Sequence, residues 1–421
     1  MKEFFLKRKD KLIFYTIKLV VVAVVYMILG YYFEFRGHLK DVISFMIFLI
    51  PNHFIGFKGW RYFGKHLRMK KAVYWVIFWA IALSYIPGKM IDKFFPDSVV
   101  GDALLLLDSY WFTSREYILF ILLFCMLLGF INKKTGFLGK KLTNALTNTP
   151  VLGLTLIILM VSYLLYGTLN AQNTVVTPYQ LTVNKTAGSM QELHAVMISD
   201  MHLGRVVNNN RLIELVKKVN SLKPDIVLIT GDSIEDDYTH YIKQNMATTL
   251  GKINSKYGVF AVLGNHDIAY GNTQINIANL SKAGIHVLKD KYVKVSDSFY
   301  LVGRSDRGEV GENSDREKLG DIIQGMDKNL PVILMDHQPV EFENAIKNGI
   351  DIQLSGHTNN GQEGINKLLC NLTNELSYGV LRKDKFSAIV SSGFGTWGSP
   401  VRVGTLSEIV DIKIHFQRKL K

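Results

Sequence analysis

Five short apolar runs in the second half of the sequence each end in residue types that bind metal ions. The runs cover residues 194–199, 225–230, 259–263, 331–335 and 350–355, and they lead into Asp200, Asp232, Asn265-His266-Asp267, His337 and His357. In open α/β sheets, binding sites form at the carboxyl ends of the strands. A single residue of this kind would fit a turn or a buried core position equally well. Five in one arrangement predict a shared cleft.

The residue types in this set indicate a particular chemistry. Carboxylate, imidazole and amide-oxygen ligands suit Mn, Fe or Zn better than a soft-metal site, and several histidines make Mg a poor match. A phosphodiester repels nucleophiles through its own oxygens. Its hydrolysis therefore needs paired cations that neutralise this charge and make hydroxide available near neutral pH. The ligand set is of the kind that such a metal-dependent hydrolysis requires.

The motifs also occur in a specific order and spacing. They are Asp200-Met201-His202, Gly231-Asp232, Gly264-Asn265-His266-Asp267, His337 and Gly356-His357-Thr358-Asn359. Over about residues 193–415 this order resembles the calcineurin-like metallophosphoesterases. Gly361-Gln362, the glycine-rich run 392–398 and Arg402 are further similar to the integral-membrane bacterial branch of that family. The resemblance implies an αββα sandwich that binds two divalent metal ions.

The resemblance also implies how the ligands divide between the two ions. The first metal site would consist of Asp200, His202, Asp232 and Asn359, and the second of Asp232, Asn265, His337 and His357. Asp232 would bridge the two ions. His266 would face the scissile phosphate, where it stabilises developing charge or protonates the leaving oxygen. Asp267 would orient His266.

Position 359 departs from the pattern of the family. The sequence has Asn359 where the family normally has a second histidine after Gly-His-Thr. An amide oxygen is a weaker ligand for a transition metal than an imidazole nitrogen. We therefore expect the first metal site to bind its ion weakly, to prefer a harder metal, or to be empty in the isolated protein.

The long uncharged runs lie almost entirely in residues 1–170. We predict a helical membrane domain of about five spans over residues 1–170, a linker with the first strand over 171–192, and the catalytic α/β domain over 193–421. The candidate spans cover residues 12–33, 42–57, 72–87, 111–131 and 151–170. Because a helix needs about 20 residues to cross the hydrocarbon core, 42–57 and 72–87 are short enough to be re-entrant or interfacial instead.

The charge distribution predicts orientation in the membrane. The net charge is +13, and most of it lies between the apolar runs of residues 1–170, so it favours membrane topology over nucleic-acid binding. Loops 58–71 and 133–141 are basic, whereas loop 88–110 is rich in aspartate. With five crossings, both basic loops lie in the cytoplasm. The prediction is a multi-pass cell-membrane protein with an extracytoplasmic catalytic domain.

Two functions remain open at this point. The first is an active phosphohydrolase held close to membrane lipid, with a lipid-linked phosphodiester or pyrophosphate as its substrate. The second is a degenerate domain that binds a phosphorylated ligand and signals through the helices. His266 favours the enzyme because a binding module has no chemical need for such a histidine. The sequence indicates neither the physiological substrate nor the oligomeric state.

Three smaller features complete the sequence. The apolar run 365–372 follows the site loop and fits either an ordinary core helix or a segment that dips into the bilayer. The acidic run 235–237 is typical of a solvated helix start. The two cysteines, Cys125 and Cys370, lie far apart in sequence and exclude a disulfide framework.

Overall fold

The computed structural model describes most of the chain. The described residues are 39–64, 68–95, 98–139, 143, 150–235, 237–309 and 316–417. They divide into two compact units, one formed by residues 39–90 and 111–158 and the other by residues 91–110 and 159–417. The second unit contains the predicted metal ligands.

Five long or apolar helices make up most of the described residues before residue 173. They are α1 (Leu39–Phe63), α2 (Lys71–Ala82), α3 (Tyr85–Phe94), α4 (Val99–Thr135) and α5 (Pro150–Gln172). Among the described residues, α4 and α5 are each long and apolar enough to cross a membrane. Helices α2 and α3 would make a third crossing if this pair, bent by 54°, forms one span.

The positions of these helices can be compared with the predicted spans. The predicted spans 111–131 and 151–170 lie within α4 and α5. The predicted span 42–57 lies within α1, but α1 is not among the described helices that are long and apolar enough to cross a membrane. The predicted span 12–33 lies outside the described residues. The run 72–87 is broken between α2 and α3. Pro87 explains the break, since proline has no N–H to continue a helix but fits the first turn of a new one.

The second unit contains two six-stranded sheets within the described residues. The strands are β1 (Thr174–Val183), β2 (Glu192–Ile198), β3 (Ile226–Thr230), β4 (Val259–Val262), β5 (His286–Val287), β6 (Lys291–Val295), β7 (Phe299–Gly303), β8 (Val332–Met335), β9 (Ile352–Ser355), β10 (Gly379–Lys383), β11 (Phe386–Val390) and β12 (Ser407–Phe416). The first sheet has the order β1-β12-β2-β3-β4-β5, and the second has the order β10-β11-β9-β8-β7-β6. The neighbours β2-β3-β4 and β7-β8-β9 run parallel.

Short helices accompany these strands. They are α6 (Asn209–Leu222), α7 (Thr239–Lys243), α8 (Met246–Leu250), α9 (Asn265–Ile268), α10 (Thr273–Lys282), α11 (Leu319–Ile322), α12 (Phe342–Lys347) and α13 (Gly364–Thr373). Single 3₁₀ turns occur at Ala269–Gly271, Arg307–Glu309 and Asn359–Gly361.

Strand β2 illustrates how the sequence specifies the layers. Its residues Leu193, Ala195 and Met197 join a core that also contains side chains of the second sheet. The alternate residues Val196 and Ile198 pack with side chains of α6, α8 and α10. Strands that are apolar on both faces are typical of parallel sheets covered on both sides.

A third apolar core completes the layers. It packs strands of the second sheet against α11 and α12 through residues such as Val302, Leu334, Leu319 and Phe342. The arrangement is helices, sheet, sheet, helices. The predicted fold, an apolar helical region followed by an αββα sandwich, is confirmed.

Candidate metal centre

Both sheets contribute ligands to one edge of the sandwich. Asp200 and Asp232 follow β2 and β3 of the first sheet, and His337 and His357 follow β8 and β9 of the second. Since the strands before them are parallel within each sheet, the side chains after the strands gather at a common edge. The predicted ligands therefore come from both sheets.

The main chain around these residues adopts an uncommon conformation. Five predicted ligands have positive φ angles: Asp200 (49°), His202 (47°), Asp232 (50°), His357 (68°) and Asn359 (47°). A left-handed conformation costs non-glycine residues on the order of 1–3 kcal/mol each, and such residues cluster at functional sites. Backbone bonds hold the turns in place, among them those from the Asp200 N–H to the Gly231 carbonyl and from the His202 N–H to the Asp232 carbonyl, both 3.0 Å.

Two glycines leave room for the ligand side chains. A Cβ on Gly231 would collide with the His337 ring, and a Cβ on Gly264 would collide with the Asp232 carboxylate. Gly231 also has a φ of 93°, which side-chain-bearing residues rarely adopt. Any larger residue at these positions would displace a ligand.

Asp232 is common to two groups of potential metal ligands. Asp232, His337 and His357 place one ligand atom each within 4.8 Å of one another, and Asp200, His202 and Asp232 do the same. The resemblance assigned the members of the first group to the second metal site and those of the other group to the first. Asp232 is fully enclosed, and its Oδ1 accepts a hydrogen bond of 2.9 Å from the His266 N–H.

In the second metal site, two imidazoles are oriented by hydrogen bonds. His337 Nδ1 lies 2.8 Å from the Thr230 carbonyl, which can only accept, so Nδ1 is a donor and Nε2 is the nitrogen that can bind an ion. That Nε2 is buried, lacks a hydrogen-bond partner and lies 3.1 Å from Asp232 Oδ2. His357 Nδ1 lies 2.8 Å from Asn265 Oδ1. All four predicted ligands of this site are thus brought together.

In the first metal site, the imidazole has a less fixed environment. Neither ring nitrogen of the fully buried His202 has a well-aligned hydrogen bond. Its Nδ1 is 3.2 Å from Glu235 Oε2, in ion-pair contact. The Asp200 carboxylate accepts the His357 N–H at 2.9 and 3.1 Å from its two oxygens, which ties the two sites together.

Asn359 is engaged by a buried arginine. The Asn359 Oδ1 accepts a hydrogen bond of 3.0 Å from Nη2 of Arg402, whose side chain is fully buried. Arg402 also donates to the Gly395 carbonyl from Nε and Nη2. Burial lowers the pKa of the guanidinium to about 10, although Asp200 and Glu408 act to raise it. The amide oxygen at 359 therefore shares its lone pairs with a cation of the protein itself.

The charges of the second site balance one another. Burial on its own raises the pKa of Asp232, but His337, His202 and His266 lower it by more, so the pKa lies below its usual range. Burial lowers the pKa of His337, yet Asp232 and other nearby aspartates raise it well above its usual value. A buried carboxylate of this kind requires a positive partner, and a divalent cation supplies one without a proton.

The two residues predicted to act on the substrate differ in exposure. His266 is half-buried, and its ring centroid lies 4.9 Å from that of His202 and 5.7 Å from that of Trp397. Asp267 is fully buried and accepts hydrogen bonds from the N–H groups of Gly264, Ser233 and Ile234. Burial, and then repulsion from Asp232, raise the pKa of Asp267 to about 6, although these three bonds act to lower it. Through these bonds Asp267 fixes the backbone that carries His266.

The donor set fits a pair of divalent ions. Buried imidazole nitrogens without hydrogen-bond partners, at His202 and His337, lie on either side of a shared carboxylate. Buried polar atoms normally have partners, and a coordinated cation would satisfy these. Mixed nitrogen and oxygen ligands suit Mn, Fe or Zn.

Sequence reasoning missed one residue at this site. The acidic run 235–237 was expected to be a solvated helix start, but Glu235 contacts His202 and precedes the helix α7, which begins at Thr239. Glu235, His202 and His266 themselves form a group of potential ligands. Asp236 lies outside the described residues. The only signal for Glu235 in the sequence was its place three residues after Asp232.

Known proteins resemble this chain in sequence. The family described as calcineurin-like phosphoesterase matches residues 193–360. A transmembrane protein with metallophosphoesterase domain from Danio rerio is 29% identical over 360 residues, 80% of this chain and 80% of that protein. An uncharacterized metallophosphoesterase of Aquifex aeolicus is 33% identical over 235 residues, 53% of this chain and 85% of that protein. The matched residues 193–360 include every predicted ligand.

Proposed function

The chain belongs to the calcineurin-like metallophosphoesterases, and we propose that it hydrolyses a phosphodiester or pyrophosphate linkage at the surface of the membrane. One observation carries the proposal: two groups of buried ligand atoms share Asp232, and the half-buried His266 stands beside them. A site built only to bind phosphate would need cationic donors, not clustered carboxylates.

The residues of the chain divide the work of hydrolysis. Two divalent ions, when bound, would neutralise the phosphate oxygens and lower the pKa of a water molecule. Asp232 belongs to both ligand groups, and Asp200 links the groups through its hydrogen bonds with the His357 N–H. Asp267 keeps the loop of His266 rigid. His266 can then donate a proton or a hydrogen bond to the leaving oxygen.

We place the catalytic unit outside the cytoplasm, as the basic loops 58–71 and 133–141 favour. An introduced cysteine tests this orientation. Tyr270 is 88% exposed, and Tyr270→Cys in a Cys125→Ser, Cys370→Ser background is expected to react with a membrane-impermeant maleimide in intact cells. Labelling that requires a permeant reagent would put the catalytic unit in the cytoplasm.

Turnover of a soluble aryl phosphodiester tests the activity. The full chain in detergent, stripped of metal and resupplied with Mn, is expected to hydrolyse it. His266→Ala is expected to lose about 10²–10³-fold of the turnover while it retains bound Mn, because the residue acts on the substrate and not on the ions. His415→Ala, at a half-exposed histidine of the same unit that contacts Glu192, serves as the matched control.

Two results would contradict the proposal. If His266→Ala strips the bound Mn, its assignment as a substrate-facing group is wrong. If the wild-type chain binds Mn and a phosphorylated ligand but turns over neither diester, monoester nor pyrophosphate, the domain is a ligand-binding sensor and not an enzyme.

A further inference from the structure

Helix α13 (Gly364–Thr373) presents its apolar face to the outside. Ile365, Leu368, Leu369 and Leu372 recur at the spacing of one helix face. Their exposed fractions are 37%, 60%, 56% and 74%, and no residue of the helix is buried. In a globular protein such a stripe faces the core. In α13 the apolar stripe faces outward instead.

The polar face of α13 holds the helix in this orientation. Lys367 Nζ donates a hydrogen bond of 2.8 Å to the Gly404 carbonyl. Cys370 Sγ lies 3.9 Å from the Thr358 carbonyl, and Asn371 bonds to the Ser377 hydroxyl. The apolar face is therefore directed outward by specific contacts on the opposite side. A contiguous exposed patch of this kind marks an interaction surface.

The same short segment that anchors α13 also binds the end of α5. The Arg402 N–H donates to the Gly167 carbonyl at 3.0 Å. Asn170 Nδ2 donates to the carbonyls of Arg402 and Thr405 at 3.0 and 2.9 Å. Residues 402–405 thus fix both the polar face of α13, through Gly404, and the last turns of a helix that is long and apolar enough to cross a membrane.

The end of α5 presents apolar side chains as well. Leu165, Tyr166 and Leu169 are 61%, 58% and 68% exposed. Both exposed apolar surfaces, on α5 and on α13, therefore flank the segment 402–405. A lipid bilayer that covers the first surface therefore lies beside the segment that anchors the second.

We propose that α13 lies in the membrane–water interface, with its apolar face in the outer part of the acyl-chain region. Interfacial helices bury such a face about 5–10 Å into the boundary between headgroups and acyl chains. The partner is the bilayer that holds the chain's own spans. A second copy of this chain is the less suitable partner. It would have to cover a surface that begins at the end of α5, where that helix leaves the lipid.

The position of α13 affects the candidate metal centre. The helix follows directly after the turn Asn359–Gly361. Gln362, two residues before it, exchanges hydrogen bonds of 2.9 and 2.7 Å with the backbone of Trp397, whose half-exposed ring lies 5.7 Å from His266. The centre is thus held at headgroup depth. This step rests on the proposed function. The depth of the centre makes the substrate an amphiphile, a phosphoester whose apolar part stays in the bilayer.

Fluorescence quenching by lipid tests the docking without any turnover. Leu372→Cys in the Cys125→Ser, Cys370→Ser background is labelled with an environment-sensitive fluorophore, and the full chain is placed in phosphatidylcholine nanodiscs. Phosphatidylcholine spin-labelled near the headgroup end of its acyl chain is expected to quench this label several-fold more than the same label at Tyr270→Cys. A label at Leu368→Cys repeats the measurement on the same face.

Equal quenching at positions 372 and 270 would overturn the docking. So would a label at 372 that is shielded from an aqueous quencher but untouched by the lipid quencher, since a protein copy would then cover the face. A chain whose label is quenched by lipid but which hydrolyses no phosphoester would refute the proposed function and leave the docking in place.

Discussion

The two candidate metal sites share Asp232, but the protein holds their other predicted ligands by different means. In the second site, the main-chain carbonyl of Thr230 orients His337, and no side-chain substitution can remove it. In the first site, His202 contacts the side chain of Glu235, and the side chain of Arg402 engages Asn359. His337 in the second site is thus oriented by the main chain, whereas His202 and Asn359 in the first site are contacted by side chains. A substitution at Glu235 can therefore change the affinity of the first site while the main-chain support of His337 stays in place.

Substitution of the shared ligand is expected to have the largest effect. Asp232→Asn removes the charge that both ions need, so metal analysis should find both lost at moderate Mn. Turnover should fall by more than about 10³-fold, because water without a bound ion has a pKa far above neutral. Asp297→Asn, a highly exposed aspartate, is the control. One ion retained per Asp232→Asn chain would show that the carboxylate is not shared.

Substitution of Glu235 should separate the two sites. Glu235→Gln keeps the size of the side chain but removes the charge beside His202, and changes of this kind cost about 10–100-fold in metal affinity. Calorimetric titration should show one weakened and one unchanged binding event.

The matched control for Glu235 acts on the opposite site. Thr230→Val removes a hydroxyl that has no hydrogen-bond partner but keeps the carbonyl that orients His337. Both affinities should survive in this variant. Equal weakening of both sites by Glu235→Gln would contradict the distinction between side-chain and main-chain support.

Completion of the first site should have the smallest effect. Asn359→His is expected to raise Mn occupancy a few-fold in dilute metal, and the gain should vanish at saturating metal because mass action masks a binding defect. The gain is modest since Arg402 must release its acceptor. Asn359→Ala should change metal binding little but destabilise the fold by about 1–3 kcal/mol, as it leaves a buried guanidinium without that bond. Unchanged occupancy across a metal titration of Asn359→His would remove position 359 from the ligands.

The local pattern of apolar residues was sufficient to predict the strands that lead to the metal centre. The run 225–230 is apolar on both faces over residues 226–229, which marks a buried parallel strand, and it is a strand in the structure. The run 350–355 alternates apolar and polar residues, a pattern of period two that also indicates a strand, and it is one too. Their spacing did not reveal that they belong to different sheets. Only the family resemblance implied that arrangement.

Long-range contacts explain what the sequence could not reveal. Glu235 comes beside His202 because Leu203 and Ile234 form an isolated bridge between their loops. Arg402 is buried, whereas arginines are mostly exposed. Its residue type alone therefore did not predict a buried position beside the metal centre. The break between α2 and α3 depends on Pro87, inside a run whose composition alone reads as one segment.

The pairing of β1 with β12 has a consequence for the order of biosynthesis. Thr174, at the start of β1, lies opposite Ser407, which is 233 residues later in the chain, and β12 separates β1 from β2 in the sheet. At about 5–20 residues per second, the ribosome needs on the order of tens of seconds to supply that strand. During this interval β2, β3 and β4 can pair with one another, but the strand that follows α5 has no partner. The strand that follows α5 is therefore the last of these strands to enter the sheet.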